Sequence, residues 1–306
     1  FRYSLPPSMS DALPPFPPLG ALVLVLGKGG VGKTTLAAGL AEAAAKKDGE
    51  AMLIEFGDGD SGRRALGKNS KVLHRVVDPR DAMKRAIAQL LGSQLLARLF
   101  LDNFAVRPML RAAPAMRELA MLECVRIYAD ELPGKRVVVD MPATGHGLTW
   151  LRLPVQMRDM FASGAIHDLA ARLVDRLVSP KRTSVVVVTL PERLVLMETV
   201  ELCRALEGEV GLPVGRLVVN RFPSELPAEA WEQARAMEAR GGPEGEAATE
   251  LIRTIEARAT LRREASELLA SASRTTLHVR PLLVPESLED LRAGDVAALL
   301  EKEGAA

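Results

Sequence analysis

GKGGVGKTT, the segment at residues 27–35, lies between a short apolar run and an alanine-rich stretch of helical character. It satisfies the pattern G-x-x-x-x-G-K-[ST], whose glycines let the backbone wrap closely around an anion. A strand before this loop and a helix after it would point successive backbone N–H groups inward at a helix N-terminus. The segment therefore predicts a phosphate-binding loop, and its expected nucleotide contacts are Gly27, Lys28, Gly29, Gly30, Val31, Gly32, Lys33, Thr34 and Thr35.

Short apolar runs alternate with amphipathic helical sequence on the C-terminal side of that loop. Including the run before the loop, they are Leu22–Leu26, Ala51–Phe56, Val137–Asp140, Ser184–Leu190, Leu217–Asn220 and Leu282–Val284. Continuous apolar strands separated by helices are typical of parallel sheets that are covered on both faces. The sequence predicts an α/β fold, a doubly wound and mostly parallel sheet with an inserted helical subdomain.

The domain organisation predicted from this pattern is a single domain over residues 21–300 with two tails. Six prolines in residues 1–20 favour an extended, disordered tail, or alternatively a proline-rich docking segment. A flexible C-terminus is expected at residues 301–306. Helical insertions are predicted at about residues 81–131 and 155–178, where Met and Leu recur at helical spacing. These helices either form ordinary core or line a reduced groove for a hydrophobic protein client.

The composition excludes several classes of protein. Lys and Arg number 40 against 39 Asp and Glu, so no bulk charge attracts nucleic acid or an anionic membrane. Two distant cysteines, Cys124 and Cys203, form no CxxC pair, which disfavours a disulfide framework and favours a reducing, cytoplasmic location. No run approaches the roughly 18 apolar residues of a membrane span, so only indirect membrane contact is expected.

The residue types in and beyond the loop predict ATP and Mg²⁺ as cofactors. Lys33 is expected to reach the β- and γ-phosphates, where it would be catalytic, and the Thr34 hydroxyl to ligate Mg²⁺. Asp140 ends an apolar strand and would organise Mg²⁺ through a bound water. These assignments together predict a phosphoryl-transfer site of the nucleotide-hydrolase type.

Two strings carry a resemblance to a known family. GKGGVGKT, with its second lysine at Lys28, resembles the deviant loop of ParA/MinD-type partitioning ATPases, nitrogenase iron protein and arsenite-pump ATPases. DMPATGHGLTWLRLP at residues 140–154 resembles the switch II segment of the arsenite-pump ATPase (ArsA) family. That family includes the ATPases that target tail-anchored membrane proteins. The chain is identified as a member of this family over about residues 21–300.

The resemblance implies further roles. Lys28 would cross a dimer interface to the nucleotide of the partner, adding a cation at the γ-phosphate. The switch II segment, which senses the γ-phosphate, would include Pro142, Thr144, Gly145 and His146. Asn220 would read adenine, because a carboxamide both donates and accepts hydrogen bonds. Pro281 and Leu282, in the last strand before the loop that closes over the base, would also contact the nucleotide.

Switch I departs from the family pattern. The stretch EFGDGD at residues 55–60 places Gly57 where the family carries a water-positioning carboxylate. Asp58 is the first candidate for that catalytic acid and Asp60 the second. The alternative is that both are solvated turn residues, in which case hydrolysis would be slow or lost while ATP binding survives.

The leading hypothesis is a dimeric ATP switch that couples nucleotide state to a protein partner or hydrophobic client. A single copy of the ATPase unit would pair as a homodimer, or as a heterodimer with a paralogue. The alternatives are a nucleotide-binding scaffold subunit with little turnover, or a ParA/MinD-like positioning ATPase on DNA or membrane. Binding to nucleic acid is not expected, because the C-terminal segment is not strongly basic. Arsenite transport is disfavoured, because an As(III) centre prefers about three thiolates and the chain has two cysteines.

Overall fold

Seven strands form one sheet within the part of the chain that the computed structural model describes, residues 16–91, 114–275, 277–287 and 291–305. The strand order is β3-β2-β4-β1-β5-β6-β7, and every neighbouring pair is parallel. The strands are β1 (Leu22–Gly27), β2 (Ala51–Phe56), β3 (Leu73–Val77), β4 (Arg136–Asp140), β5 (Thr183–Thr189), β6 (Val214–Phe222) and β7 (Pro281–Pro285).

Helices cover both faces of this sheet, as the alternation of strand and helix predicts. They are α1 (Lys33–Asp48), α2 (Asp60–Leu66), α3 (Pro79–Leu91), α4 (Pro114–Glu131), α5 (Thr144–Met160), α6 (Ala165–Leu177), α7 (Arg193–Ala205), α8 (Ala228–Arg240), α9 (Gly242–Thr275) and α10 (Ala293–Lys302). A π-helical turn, Leu206–Val210, continues α7. The doubly wound α/β fold is confirmed.

The central strand β1 explains why its sequence is apolar without alternation. Leu24 and Leu26 belong to the core cluster on one face of the sheet, and Val23 and Val25 belong to the cluster on the other face. Successive side chains of a strand point to opposite faces, so a strand covered on both sides has no polar face. Because all the strands run the same way, the loops after β1, β2, β4, β6 and β7 meet at one edge.

Strand β3 is the one described strand that the sequence analysis missed. Its burial alternates between exposed and half-buried positions, and only its last residue, Val77, is buried. It lies at the edge of the sheet beside β2. An edge strand has one free side and carries polar residues, here His74 and Arg75, so it lacks the continuous apolar run that marks central strands.

The described residues of both predicted tails contact the rest of the fold. Residues 1–15 lie outside the described residues, but Leu19 is buried and the Gly20 N–H donates to Ser184 Oγ at 2.8 Å. At the other end, Ala305 is buried and its carbonyl accepts a hydrogen bond from Arg216 Nε at 3.2 Å. Arg216 is 2% exposed, and its guanidinium also lies 4.8 Å from the ring of Phe16. The side chain of Arg216 on β6 therefore contacts residues near both ends of the described chain, Phe16 and Ala305.

The two helical insertions divide between core and surface. In the first, Met83 and Ile87 of α3 are buried in the core, while residues 92–113 lie outside the described residues. In the second, Leu169 and Leu173 of α6 are buried in the same cluster, whereas Met160 at the end of α5 is 68% exposed. The described helices therefore bury much of their apolar surface in the core, and a client groove stays a prediction.

In the described ranges, no helix combines the length and the apolar character that a transmembrane span requires. Both cysteines are buried, Cys124 at 3% and Cys203 at 2% exposure. Burial raises the pKa of the Cys124 thiol to about 11 and that of the Cys203 thiol to about 12. They behave as small core residues.

Candidate nucleotide-binding site

A cavity of about 990 Å³ opens at the carboxyl edge of the sheet, where the loops after the strands meet. Its lining comes from separate parts of the chain: the loop and start of α1, helix α2, the ends of β6 and β7, and the start of α10. The lining residues include Gly32, Thr34, Thr35, Ser61, Arg64, Asn220, Arg221, Val284, Glu286, Ser287 and Arg292. A pocket at this edge of an open α/β sheet is the usual ligand site of such folds.

The backbone of the loop adopts conformations that require glycine at two points. Gly27 has φ +153°, and a Cβ there would lie 2.3 Å from the Val188 carbonyl oxygen on β5. Gly32 has φ +94°, and a Cβ there would lie 2.4 Å from Asn220 Nδ2. A side chain at either position would displace the loop from its neighbours. The two glycines therefore allow the loop backbone to pack closely against β5 and β6 at the start of α1.

Lys33 is the first residue of α1, and its side chain extends back over the phosphate loop. Its Nζ donates to the Lys28 carbonyl oxygen at 2.9 Å. Burial lowers the pKa of the Lys33 ammonium, while the charge of Asp140 raises it. This position is the one in which an ammonium meets the phosphates held by the loop.

Thr34 and Asp140 form the part of the site that fits Mg²⁺. Thr34 Oγ1 donates to Asp140 Oδ2 at 2.5 Å, and Asp140 Oδ1 is buried with no hydrogen-bond partner. A buried, unpartnered carboxylate oxygen indicates an unfilled requirement for a cation or its bound water. No group of three or more His, Cys, Asp or Glu in the described residues could hold a metal alone. Magnesium bound here would depend on the nucleotide for further oxygen ligands, and would neutralise charge on its phosphates.

The protonation of Asp140 should make the stability of the nucleotide-free protein depend on pH. Burial raises the pKa of the Asp140 carboxyl to about 6, the Thr34 hydrogen bond and the Lys33 charge lower it, and the Glu55 charge raises it. A carboxyl with a raised folded-state pKa binds its proton more tightly in the native state. Folding is therefore disfavoured progressively as the pH rises from about 4 to about 6, by on the order of 3 kcal/mol in total.

We expect Asp140→Asn to remove this dependence. Relative to wild type, the variant should gain unfolding free energy between pH 4 and pH 7, as measured by urea denaturation in EDTA without nucleotide. Asp159→Asn, which changes an exposed aspartate, serves as the control and should follow wild type at every pH. A constant difference between Asp140→Asn and wild type across this range would contradict the assignment.

Asn220 lines the cavity, but its carboxamide is already engaged with the chain. Nδ2 donates to the Val31 carbonyl oxygen at 2.9 Å, and Oδ1 accepts the Arg221 backbone N–H at 2.9 Å. Asn220 therefore braces the phosphate loop against β6, and its adenine contact stays a prediction. The cavity lining from the last strand consists of Val284 and Pro285 and does not include Pro281 or Leu282. The nucleotide contacts of Pro281 and Leu282 stay predictions.

Lys28 points away from the cavity in this structure. Its Nζ lies 2.9 Å from Glu198 Oε2 and 3.1 Å from Oε1, so the lysine pairs with α7 of its own chain. Both side chains are about half exposed, at 47% and 55%. An ion pair this exposed contributes little to stability and is easily exchanged for another partner. The sequence analysis did not foresee this contact.

Of the two switch I candidates, Asp58 lies on the loop between β2 and α2 and Asp60 is the first residue of α2, and both are exposed. Asp58 Oδ1 accepts the backbone N–H of Asp60 at 3.0 Å, which closes a local turn. The described residues of this segment that line the cavity are instead Ser61, Arg64 and Ala65. The water-positioning role of Asp58 or Asp60 stays a prediction. Sequence analysis missed Ser61 and Arg64, because neither belongs to a motif that marks the site.

The predicted switch II segment begins at the end of β4 and continues into α5. The side chains of Thr144, Gly145 and His146 lie outside the described part, and α5 starts at Thr144. Further along α5, the Trp150 ring meets Phe56 edge-on, with ring centroids 5.0 Å apart. Since Phe56 ends β2 just before the switch I loop, this contact joins the two predicted switch segments.

Comparison with known proteins agrees with the geometry of this site. Residues 22–267 match the family model described as CobQ/CobB/MinD/ParA nucleotide binding domain. The chain belongs to this family. ATPase BagA of Mycobacterium tuberculosis is 30% identical to the chain over 245 residues, 71% of this chain and 69% of that protein.

Arsenical pump-driving ATPases are also similar to the chain. The proteins from Escherichia coli and Acidiphilium multivorum are each 29% identical over 213 residues, 65% of this chain. The match covers only 34% of each of those proteins. The resemblance to the arsenite-pump ATPases is thereby confirmed as homology of the nucleotide-binding unit.

Proposed function

We propose that this member of the CobQ/CobB/MinD/ParA family is a Mg²⁺-dependent ATPase that works as a nucleotide-switched dimer. Its relatives BagA and the arsenical pump-driving proteins are named ATPases. The single observation that carries the dimer is the position of Lys28, which belongs to the phosphate loop but pairs with Glu198 outside the cavity. A lysine held at the rim of one site is available to the site of a neighbouring subunit.

The surface around Lys28 supports a second copy of this chain as its partner. Leu194 is 73% exposed and lies four residues, about one helical turn, before Glu198 on α7; Met197, three residues after Leu194, is 45% exposed. Residues three and four apart share a helix face, so Leu194 lies beside both Met197 and the ion pair. Two copies that meet here would bury apolar surface and bring each Lys28 towards the other subunit.

In the proposed cycle, the residues of one chain bind and orient the nucleotide and those of the other complete the site. The loop amides and Lys33 hold the phosphates, while Thr34 and Asp140 hold the metal. Release of Lys28 from Glu198 would let its ammonium stabilise charge on the phosphates of the partner subunit. The contact between Phe56 and Trp150 would carry movement of switch I to α5, a surface for a protein partner or client.

This proposal predicts ATP-dependent dimerisation through α7. We expect wild type to double in mass with Mg²⁺-ATP in light scattering, and the double variant Leu194→Glu/Met197→Glu to remain a monomer, because four carboxylates would face each other across the interface. Leu251→Glu is a matched control, because Leu251 is a similarly exposed leucine (52%) on α9. A double variant that dimerises like wild type would exclude this face, and a wild type that never dimerises would exclude the switch.

A scaffold subunit that holds ATP with little turnover is the second candidate. The exposed positions of Asp58 and Asp60, joined to each other in a local turn, favour it. Steady-state turnover distinguishes the two functions. Clear Mg²⁺-dependent hydrolysis that Lys33→Ala abolishes supports the ATPase, whereas tight binding without turnover supports the scaffold.

A further inference from the structure

Glu55 is a charged side chain buried at the carboxyl edge of the sheet, with 4% of its surface exposed. Burying a carboxylate is unfavourable unless its oxygens are hydrogen bonded, and here both are engaged. Oε2 accepts the backbone N–H of Gly62 at 2.8 Å, and Oε1 lies 3.0 Å from His74 Nε2. Glu55 thus joins three elements, β2 on which it lies, β3 through His74 and α2 through Gly62.

The backbone of the switch I segment packs directly onto this pair. A Cβ on Gly62 would lie 2.6 Å from Glu55 Oε2 and 2.9 Å from His74 Nε2. Gly59 has φ +80°, and a Cβ there would lie 2.4 Å from Val76 Cγ2 on β3. Approaches this close leave the segment no room to shift towards the sheet. Glu55 and His74 therefore fix the position of the backbone at residues 59–62, in addition to stabilising the core.

The segment held in this way borders the phosphate end of the cavity. Ser61 lies between the two glycines and lines the cavity together with Thr34. Asp58, the first candidate for the water-positioning acid, lies one residue before Gly59. Glu55 itself is the register neighbour of Asp140 on β4. A shift at Gly62 would therefore move groups that face the reacting phosphate.

We infer that Glu55 and His74 are positioning residues for ATP hydrolysis, which fix the switch I loop and the first turn of α2 against the phosphate site. The inference rests on the ATPase function proposed above. Glu55 does not act as the base, because both of its oxygens are engaged within the protein, one of them with His74 Nε2. Their effect passes through the Gly62 amide, so it should appear in kcat and leave nucleotide affinity nearly unchanged.

The test is a comparison of His74→Leu with His74→Gln in the full chain. The leucine cannot hydrogen bond to Glu55, whereas the glutamine amide donates from nearly the same place as the imidazole. We expect His74→Leu to lose about 10- to 100-fold in kcat, since small misplacements near reacting groups have effects of this size, with KM for Mg²⁺-ATP within about twofold. His74→Gln should recover most of the loss. Hydrogen exchange of the Gly62 amide should accelerate in the leucine variant alone.

Two further variants make the experiment decisive. Glu55→Gln removes the charge and should also lower kcat, and the His74 variants provide the test if it fails to fold. His167→Leu is the matched control, because His167 forms another His–carboxylate contact, with Asp168 on the exposed surface of α6. It should behave like wild type in every measurement.

Wild-type kcat in His74→Leu would overturn the inference, as would a failure of His74→Gln to recover activity when both variants are folded. These outcomes leave the proposed ATPase function intact, because wild type still hydrolyses ATP. Wild-type protein that binds Mg²⁺-ATP in calorimetry but shows no turnover would overturn the ATPase proposal and this inference together.

Discussion

Replacing Lys33 by alanine should reduce ATP turnover by at least roughly 1,000-fold, because the loss of a cation at the transferring phosphate removes stabilisation that no neighbour replaces. Lys33 Nζ is held across the phosphate loop by the Lys28 carbonyl oxygen at 2.9 Å. Burial that lowers the pKa of this ammonium also weakens its screening by water, so its charge acts strongly on a bound phosphate. The measurement is steady-state phosphate release with saturating Mg²⁺-ATP.

The control for this experiment is Lys46→Ala, which removes a lysine from the last turn of the same helix. Lys46 is half exposed and lies 3.9 Å from Glu301, far from the loop along α1. The Lys46→Ala variant should hydrolyse ATP at the wild-type rate. If Lys33→Ala retains wild-type turnover, the loop at residues 27–35 is not the site of hydrolysis, and the measured activity belongs to another site or another protein.

Replacing Gly32 by alanine should weaken nucleotide binding by at least about 100-fold, or about 2.7 kcal/mol. The left-handed backbone at φ +94° disfavours any L side chain, at about 1–2 kcal/mol. The new Cβ would also lie 2.4 Å from Asn220 Nδ2, which donates to the Val31 carbonyl oxygen. Either the loop or Asn220 must move, and both movements misdirect the loop amides away from the phosphates.

Calorimetry with Mg²⁺-ATP measures this loss, and thermal unfolding separates it from a loss of stability. Gly208→Ala is the control, because a Cβ at that glycine meets nothing within 4 Å and its φ is not in the left-handed region. It should bind nucleotide as wild type does. Binding by Gly32→Ala at wild-type affinity would show that the loop backbone does not cradle the phosphates.

Much of the site was predictable from local sequence, because its central part is one continuous segment. The spacing of Gly27, Gly32 and Lys33 after an apolar strand predicts both the loop and the helix that it opens. Asp140 was predictable for a related reason, since an acid that ends an apolar strand emerges at the same edge of a parallel sheet. The remaining contacts join residues that no local pattern connects. Ser61 and Arg64 reach the cavity only because α2 packs beside α1.

Two expectations bear on contacts between segments that are distant in sequence. Leu282 was assigned to the nucleotide from the resemblance of the last strand, and this contact stays a prediction, because the cavity lining from that strand begins at Val284. Residues 1–20 were expected to be disordered and residues 301–306 to be flexible, yet the buried guanidinium of Arg216 binds the carbonyl of Ala305 and packs against Phe16. A buried arginine forms contacts with whichever chain segments the fold places beside it. Composition does not predict which segments those are.

By itself, the sequence determined the class of fold and the phosphate loop of this protein, because strand alternation and glycine spacing act over a few neighbouring residues. Only the tertiary structure decided the contacts across the site: Thr34 with Asp140, 106 residues apart, and Lys28 with Glu198, 170 residues apart. It also decided that Glu55 and His74 meet beneath switch I. Such pairs form because a parallel sheet gathers the carboxyl ends of distant strands at one edge, and the packing of that edge selects which side chains touch.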